Sequence, residues 1–446
     1  MSLAEQVYLV VGMLVEGFLV LLAVSSALER KGRAVLLSSL ACVLVAAGWY
    51  GWYALLASES LWLLMLPAMV LLGGIFFFLP FGSFQALRVG SISEQVDERD
   101  VMFSREEYQP GTEHYETYYA AHPEYKAVDD RMRRLPELLE PGGRYYDKQT
   151  ADPIDAVFDK IVTLATQVDG QTSPHGGELD AAEATATIKA EVLKMGADDV
   201  GIAELNPMFV YSHVGRGPEP WGRPIVNSHR FAIVFALEMD YHEVEQAPLL
   251  PITRETAKQY LRAGEISVAL AKRIRECGYA ARAHIAGSNY QIILPPVAHD
   301  AGLGELGRMG YLISPKYGAR VRLGAVTTEL PLLLDRPITF GVQDFCETCL
   351  KCAINCPSGA IPVGGRKLVR GVEKWPLNVE KCIHYWRAIG TDCGLCMKVC
   401  PFSHPSTPIH NLVRAGCRRS PLARRLSICG DDLFYGQRLR LPAGPG

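Results

Sequence analysis

The stretch FCETCLKCAINCP at residues 345–357, followed by KCIHYWRAIGTDCGLCMKVCP at 381–401, decides the reading of this chain. The first part spells C-x2-C-x2-C-x3-C-P with Cys346, Cys349, Cys352 and Cys356, closed by Pro357. The second spells C-x10-C-x2-C-x3-C-P with Cys382, Cys393, Cys396 and Cys400, closed by Pro401. Thiolates two and three residues apart on a tight loop reach three corners of one [4Fe–4S] cube, and in two-cluster ferredoxins the fourth cysteine of each run ligates the other cluster. The spacing predicts a bacterial two-[4Fe–4S] ferredoxin-like module. Cys346, Cys349, Cys352 and Cys400 are expected on one cluster, Cys356, Cys382, Cys393 and Cys396 on the other. Zinc sites favour paired C-x2-C units rather than triplets ending in C-P. Such a module moves electrons one at a time.

The other four cysteines, Cys42, Cys277, Cys417 and Cys429, fit no ligand slot and read as structural thiols. With 446 residues the chain is long enough for two or three domains, and its net charge of -3 does not suggest nucleic acid as a partner. Apolar residues crowd the start in three runs, Val7 to Leu28, Ala34 to Ala57 and Leu61 to Phe78. Each approaches the roughly 20 helical residues that span a bilayer core, so three transmembrane helices are expected. A cleaved signal peptide fits poorly, because Met1–Gln6 carries Glu5 and no Lys or Arg. Arg30, Lys31 and Arg33 crowd the first connection, and the second, Ser58 to Ser60, carries only Glu59. Positive-inside bias then makes this a multi-pass protein of the cell inner membrane with everything after Phe84 on the cytoplasmic side. Trp49, Tyr50, Trp52 and Tyr53 read as an aromatic belt, and Glu16 as either a functional carboxyl or a helix-packing one.

Further along, Asp180 to Met195 and Thr256 to Cys277 have helical period. Asp199 to Ala203, Phe231 to Leu237, Ile292 to Leu294 and Arg320 to Thr327 read as strands. Strands alternating with helices imply an α/β layer domain. The basic tail with Arg414, Arg418, Arg419, Arg424 and Arg425 reads as a solvated helix face, or as a contact for anionic lipid. Gly302, Gly304 and Gly307 spell G-x-G-x-x-G in AGLGELG, too far into the chain for a first βα unit. These glycines are expected to let backbone approach a cofactor or pack tightly. Arg282-x-His284-x-x-Gly287 lacks the aspartate that would orient the histidine, so His284 is not assigned as a metal ligand.

Three stretches, GYAARAH (278–284), PPVAHDAGLGELGRMGYLISPKYGARVRLGAVTTELPL (295–332) and RPITFGVQDFCETCLKCAINCP (336–357), together resemble the reductive dehalogenases. KMGADDVGIAELNP (194–207) and FALEMDY (235–241) extend the likeness to roughly residues 110–410. The resemblance implies an α/β, nitroreductase-like core binding cobalamin base-off, with no protein ligand to cobalt, fed by the two [4Fe–4S] clusters. It implies a proton-donating tyrosine with a basic neighbour, and by motif placement these are Tyr260 in AKQYLRAGE and Arg322 in GARVRLG. Arg308 in GRMG competes with Arg322, and Tyr290 is a second donor candidate. Asn289 in AGSNYQ matches the position that contacts substrate, and Gly302, Gly304, Gly307 and Arg308 the cofactor-binding stretch.

Domains are expected at 1–85 (three-helix transmembrane anchor), 86–178 (connector packing on the catalytic core), 179–335 (α/β cobalamin-binding catalytic domain), 336–410 (ferredoxin-like) and 411–446 (basic tail). The chain departs from the exported members, which carry a twin-arginine leader and a separate anchor. The implied partners are membrane lipid, a small organohalide (aromatic ones included) and an external electron donor, whether a ferredoxin, a flavoprotein or a membrane oxidoreductase. Two other readings compete. One is epoxyqueuosine reductase, whose catalytic aspartate is replaced here by Ser288-Asn289; the other is a membrane iron–sulfur electron-transfer subunit without a substrate.

Overall fold

The computed structural model describes all residues except 1, 57–59, 81–83, 91, 93, 175–176, 178, 287–288 and 443–446. The connection expected at 58–60 and the positions Gly287 and Ser288 therefore fall wholly or mainly outside the described residues. The chain divides into two compact units, one of residues 1–85, 344–349 and 404–439, the other of 86–343, 350–403 and 440–446.

The first unit begins with α1 (Leu3–Leu28), α2 (Gly32–Leu56) and α3 (Ser60–Phe78). Ser2 opens α1 with a capping box: its side chain accepts from the Glu5 amide while Glu5 accepts from the Ser2 amide. Only two described helices, α1 and α2, are long and apolar enough to cross a membrane; the third apolar stretch, Trp62–Phe78, is shorter, where a third full span was expected. Part of the expected aromatic belt has a second role in packing. The Tyr8 ring lies 4.8 Å from Trp49 and 5.9 Å from Tyr53, joining α1 to α2.

The same unit contains helices Pro408–Cys417 and Pro421–Tyr435, packed on the first three. A Cβ at Gly416 would lie 2.0 Å from the Phe77 ring, so glycine there sets how closely α3 is approached. The tail is not uniformly solvated: Arg414 and Arg424 are buried, whereas Arg418, Arg419 and Arg425 are exposed. Burial is tolerated because both guanidiniums find carbonyl acceptors, Arg414 at His404 and Arg424 at Cys417.

In the second unit a four-stranded sheet has the order β1-β2-β4-β3, from β1 (Asp199–Glu204), β2 (Phe231–Glu238), β3 (Ala281–His284) and β4 (Val321–Thr328). All three pairings are antiparallel. The unbroken apolar run of β2 suits a strand covered on both faces. Ile233, Phe235 and Leu237 pack beneath helices Ala181–Lys194 and Leu250–Glu276, while Ala232 and Val234 face the opposite core with helix Leu294–Asp300. Each fully buried large side chain in these layers contributes about 2–3 kcal/mol of transfer free energy. Asp180 caps its helix by accepting from the Ala182 and Glu183 amides at 3.0 Å each. Ile292 to Leu294 is not a strand: Ile292 makes one isolated bridge to Val210, and Leu294, followed by two prolines, begins a helix. Prolines at the first helical positions cost nothing, since those amides lack partners anyway.

Candidate active site

Three adjoining cavities of about 390, 210 and 370 Å³ run through the second unit. The first two share Tyr260, Ala286 and Tyr290; the second and third share Ile293 and Pro295. Tyr260 comes from the long helix Leu250–Glu276, whose core face fixes it against the sheet. Arg322 comes from β4, opposite Leu237 of β2. Its guanidinium carbon lies 5.0 Å from the centre of the Tyr260 ring. Arg322 is held there by Nη2 donating to Thr256 Oγ1 at 2.7 Å and by Asp392 Oδ2 at 3.5 Å. Burial raises the Tyr260 hydroxyl above its ordinary range, and the Arg322 charge pulls it back. A buried tyrosine with one adjacent fixed cation can give up a proton, because its conjugate phenolate has a ready partner.

Of the two candidate arginines, the structure brings Arg322 to Tyr260. Arg308 lies elsewhere in the fold, donating from Nη1 to the carbonyls of Pro362 at 2.8 Å and Gly364 at 2.7 Å, beneath the Trp375 ring at 4.7 Å. Tyr290 borders the first two cavities with its hydroxyl accepting from Arg216 Nη2 at 2.8 Å. Asn289 lines none of the three. Its Oδ1 accepts from Arg282 Nη2 at 2.7 Å and its Nδ2 donates to the Ala165 carbonyl at 3.0 Å, so the amide expected at substrate is committed within the protein. His284 lines the second cavity as a neutral imidazole, because burial and then Arg282 push it well below its usual range. Its Nδ1 accepts from the Gln291 amide at 3.2 Å, leaving Nε2 to donate to Thr327 at 2.9 Å.

Of the three motif glycines, Gly302 has φ +78° and would set a Cβ 2.6 Å from the Arg336 carbonyl; at Gly304 a Cβ would meet the Ile313 carbonyl at 2.2 Å. Glycine at both positions is therefore required by the protein's own packing, whereas Gly307 borders the third cavity. Sequence reading missed Glu106, Glu107 and Arg216, which line the first cavity, and Tyr311, which lines the second. The adjacent carboxylates of the polar connector were the available signal. Burial pushes Glu106 up to about 7 against the pull of Arg387, and Glu107 upward too.

The cysteine motifs lie on short helices joined by left-handed turns. Val342–Cys349 carries Cys346 and Cys349, Leu350 turns at φ 56°, and Lys351–Ile354 carries Cys352. Cys393 and Gly394 repeat the turn at φ 60° and 66° ahead of Cys396. All eight thiols are free of disulfides. Burial pushes Cys382 up to about 11 and Cys393 up to about 12, with the Cys356 charge adding to both. Buried thiols that resist ionisation suit a cationic iron centre, whose charge would stabilise their thiolates. Two residues that line the cavities also carry an orphaned donor, Arg322 (Nε) at the second and Trp375 (Nε1) at the third, and neither atom has a hydrogen-bond partner within the protein. A cofactor bearing polar groups fits there.

The second unit thus holds a buried tyrosine–arginine pair beside a cavity, and the chain carries paired cysteine motifs spaced for iron–sulfur clusters. Residues 345–404 match the family model of the 4Fe–4S dicluster domain. Over 294 residues the chain is 35% identical to a tetrachloroethene reductive dehalogenase of Sulfurospirillum multivorans, covering 58% of each protein. A solved catabolic reductive dehalogenase in complex with 3-bromo-4-hydroxybenzoic acid superimposes with a TM-score of 0.63 at 26% identity, over 81% of this chain and 50% of that one. An epoxyqueuosine reductase of Lactococcus garvieae is 30% identical over 122 residues, 24% of this chain and 31% of that protein. In sequence and in fold the chain is similar to reductive dehalogenases, and its residues 345–404 match a 4Fe–4S dicluster domain. The chain spans only just over half the length of the tetrachloroethene enzymes it matches.

Proposed function

We propose that the protein is a membrane-anchored, cobalamin-dependent reductive dehalogenase of a small organohalide. Replacing halide by hydrogen consumes two electrons and one proton and releases halide ion. Bound cobalamin, base-off, would supply the electron chemistry at the carbon–halogen bond, and two [4Fe–4S] clusters would recharge it one electron at a time. Ile292, Ile293, Leu294 and Pro295 offer the corrinoid an apolar wall, and Trp375 Nε1 a donor.

The observation that carries this reading is Tyr260 beneath the Arg322 guanidinium at the cavity wall. Tyr260 Oη gives up the proton, Arg322 holds the phenolate, and Asp392 with Thr256 keeps Arg322 in place. An electron-transfer subunit needs no such pair. Anchoring rests on α1 and α2, with α3 completing a three-helix anchor at the short end of the spanning range. Arg30, Lys31 and Arg33 favour a cytoplasmic first connection and a cytoplasmic catalytic unit. The electron donor is external.

Protein purified from cells supplied with cobalamin should hold about one cobalt per chain alongside about eight iron atoms, and should release halide from halogenated phenols or ethenes under a strong reductant. Absence of cobalt would sink the corrinoid reading. Cobalt without halide release would favour the epoxyqueuosine reductase chemistry.

A further inference from the structure

Far from Tyr260 in sequence, one group of ligating side chains in the first unit takes no part in the proposed chemistry. Glu29 follows the end of α1; His404 follows the second cysteine motif; His410 lies on helix Pro408–Cys417 and Asp431 on helix Pro421–Tyr435. Four separate elements thus bring carboxylates and imidazoles to one buried point. His410 Nε2 is 2.6 Å from Glu29 Oε1, and His404 Nδ1 is 3.2 Å from Glu29 Oε2. The two imidazole rings are stacked, 4.5 Å apart and 7° from parallel. Ser25 Oγ also donates to Glu29 Oε1 at 3.0 Å, and the Tyr435 ring closes the other side, 4.2 Å from His404.

These atoms are close enough to turn to one ion. Donors bound at about 2.0–2.2 Å to a common zinc-like centre lie roughly 3 Å from each other. The three candidate ligand atoms all fall within 4.8 Å of one another. The surroundings are arranged as around a metal-bound histidine. Asp431 Oδ1 lies 2.7 Å from His404 Nε2 and is placed to accept its proton, so that Nδ1, on the Glu29 side, is the nitrogen that would turn to an ion. Two carboxylates in one buried cluster leave negative charge that a dication offsets.

We propose that Glu29, His404 and His410 form a binding site for a divalent transition-metal ion of the zinc class, with Asp431 orienting His404 and at least one coordination position left to water. Two imidazoles and one carboxylate suit zinc or ferrous iron, not calcium or magnesium. The ion fastens α1 to the two C-terminal helices. Because His404 must release its Nδ1 proton, binding weakens as the pH falls.

The full-length protein in detergent, loaded with its clusters, would be incubated with Zn2+, desalted, and analysed for zinc content and zinc-edge X-ray absorption. The expected result is about one zinc per chain with a nitrogen and oxygen shell at about 2.0–2.1 Å and imidazole outer-shell scattering. No retained zinc overturns the proposal. So does a sulfur shell at about 2.3 Å, the mark of zinc lodged in the cysteine motifs. The wild-type spectrum decides the matter alone. His410→Ala and Glu29→Gln should each lower zinc retention at least tenfold with iron content unchanged, and full retention in both contradicts the ligand set.

Discussion

At the scale of single residues, the central pair is Tyr260 and Arg322. Tyr260→Phe removes one oxygen from a wall that Arg322, Thr256 and Asp392 otherwise keep intact, so cofactor content should not change while turnover falls. Arg322→Met has a directional consequence. Tyr260 is active as an acid only while protonated, so activity declines as pH rises through its pKa. Arg322 lowers that pKa against burial, so its loss should move the alkaline limb of the pH–rate profile to higher pH and lower the plateau, measured with cobalamin saturating. Glu106 makes a prediction about stability. Its folded pKa of about 7 lies above the free carboxyl's 4.5, so the folded state keeps a proton the unfolded chain has released. The stabilisation is full below the unfolded value and is lost as pH rises through the folded one. Glu106→Gln should therefore raise the melting temperature at pH 8, by the equivalent of about 3 kcal/mol at most, and leave it unchanged near pH 4.

At the scale of elements, strongly patterned segments were legible and short ones were not. The apolar run of β2 and the period of the long helix both appeared in the sequence, although that helix begins six residues before the expected Thr256, at Leu250. Pro251 hides the start, since proline reads as a breaker while suiting the first turn. β3 has only four residues, too few to show alternation, and is held in place by pairing with β4. Tertiary pairing, not propensity, makes it a strand. The motif glycines were expected to let backbone approach a cofactor or to pack tightly; at Gly304 the close neighbour is the Ile313 carbonyl, 2.2 Å from where a Cβ would sit. Gly304→Ala should cost about 2 kcal/mol or more of unfolding free energy, seen in denaturant titration, because backbone rather than a flexible side chain must yield. The buried arginines of the tail were read as solvated because composition says nothing of which face a neighbouring helix covers.

At the scale of the whole molecule, the eight cysteines announced electron transfer, and their order along the chain already implied crossed ligation. Cys356 raises the thiols of Cys382 and Cys393, in keeping with the crossed order. Cys356→Ala should accordingly lose or convert the cluster of the second motif, read as a drop of up to half in iron content and a changed electron paramagnetic resonance signal. What the sequence could not show was the lining of the cavities, because Glu106, Arg216 and Tyr311 come from segments far apart in the chain and carry no motif of their own. The account stands most directly on one comparison: halide released per minute by cobalamin-loaded wild-type protein and by Tyr260→Phe, at equal cobalt and iron content, under a strong chemical reductant. It predicts halide release by the wild type and a rate at least about 100-fold lower in the variant. Equal rates in the two proteins, or no halide from the wild type with any halogenated phenol or ethene, would contradict it.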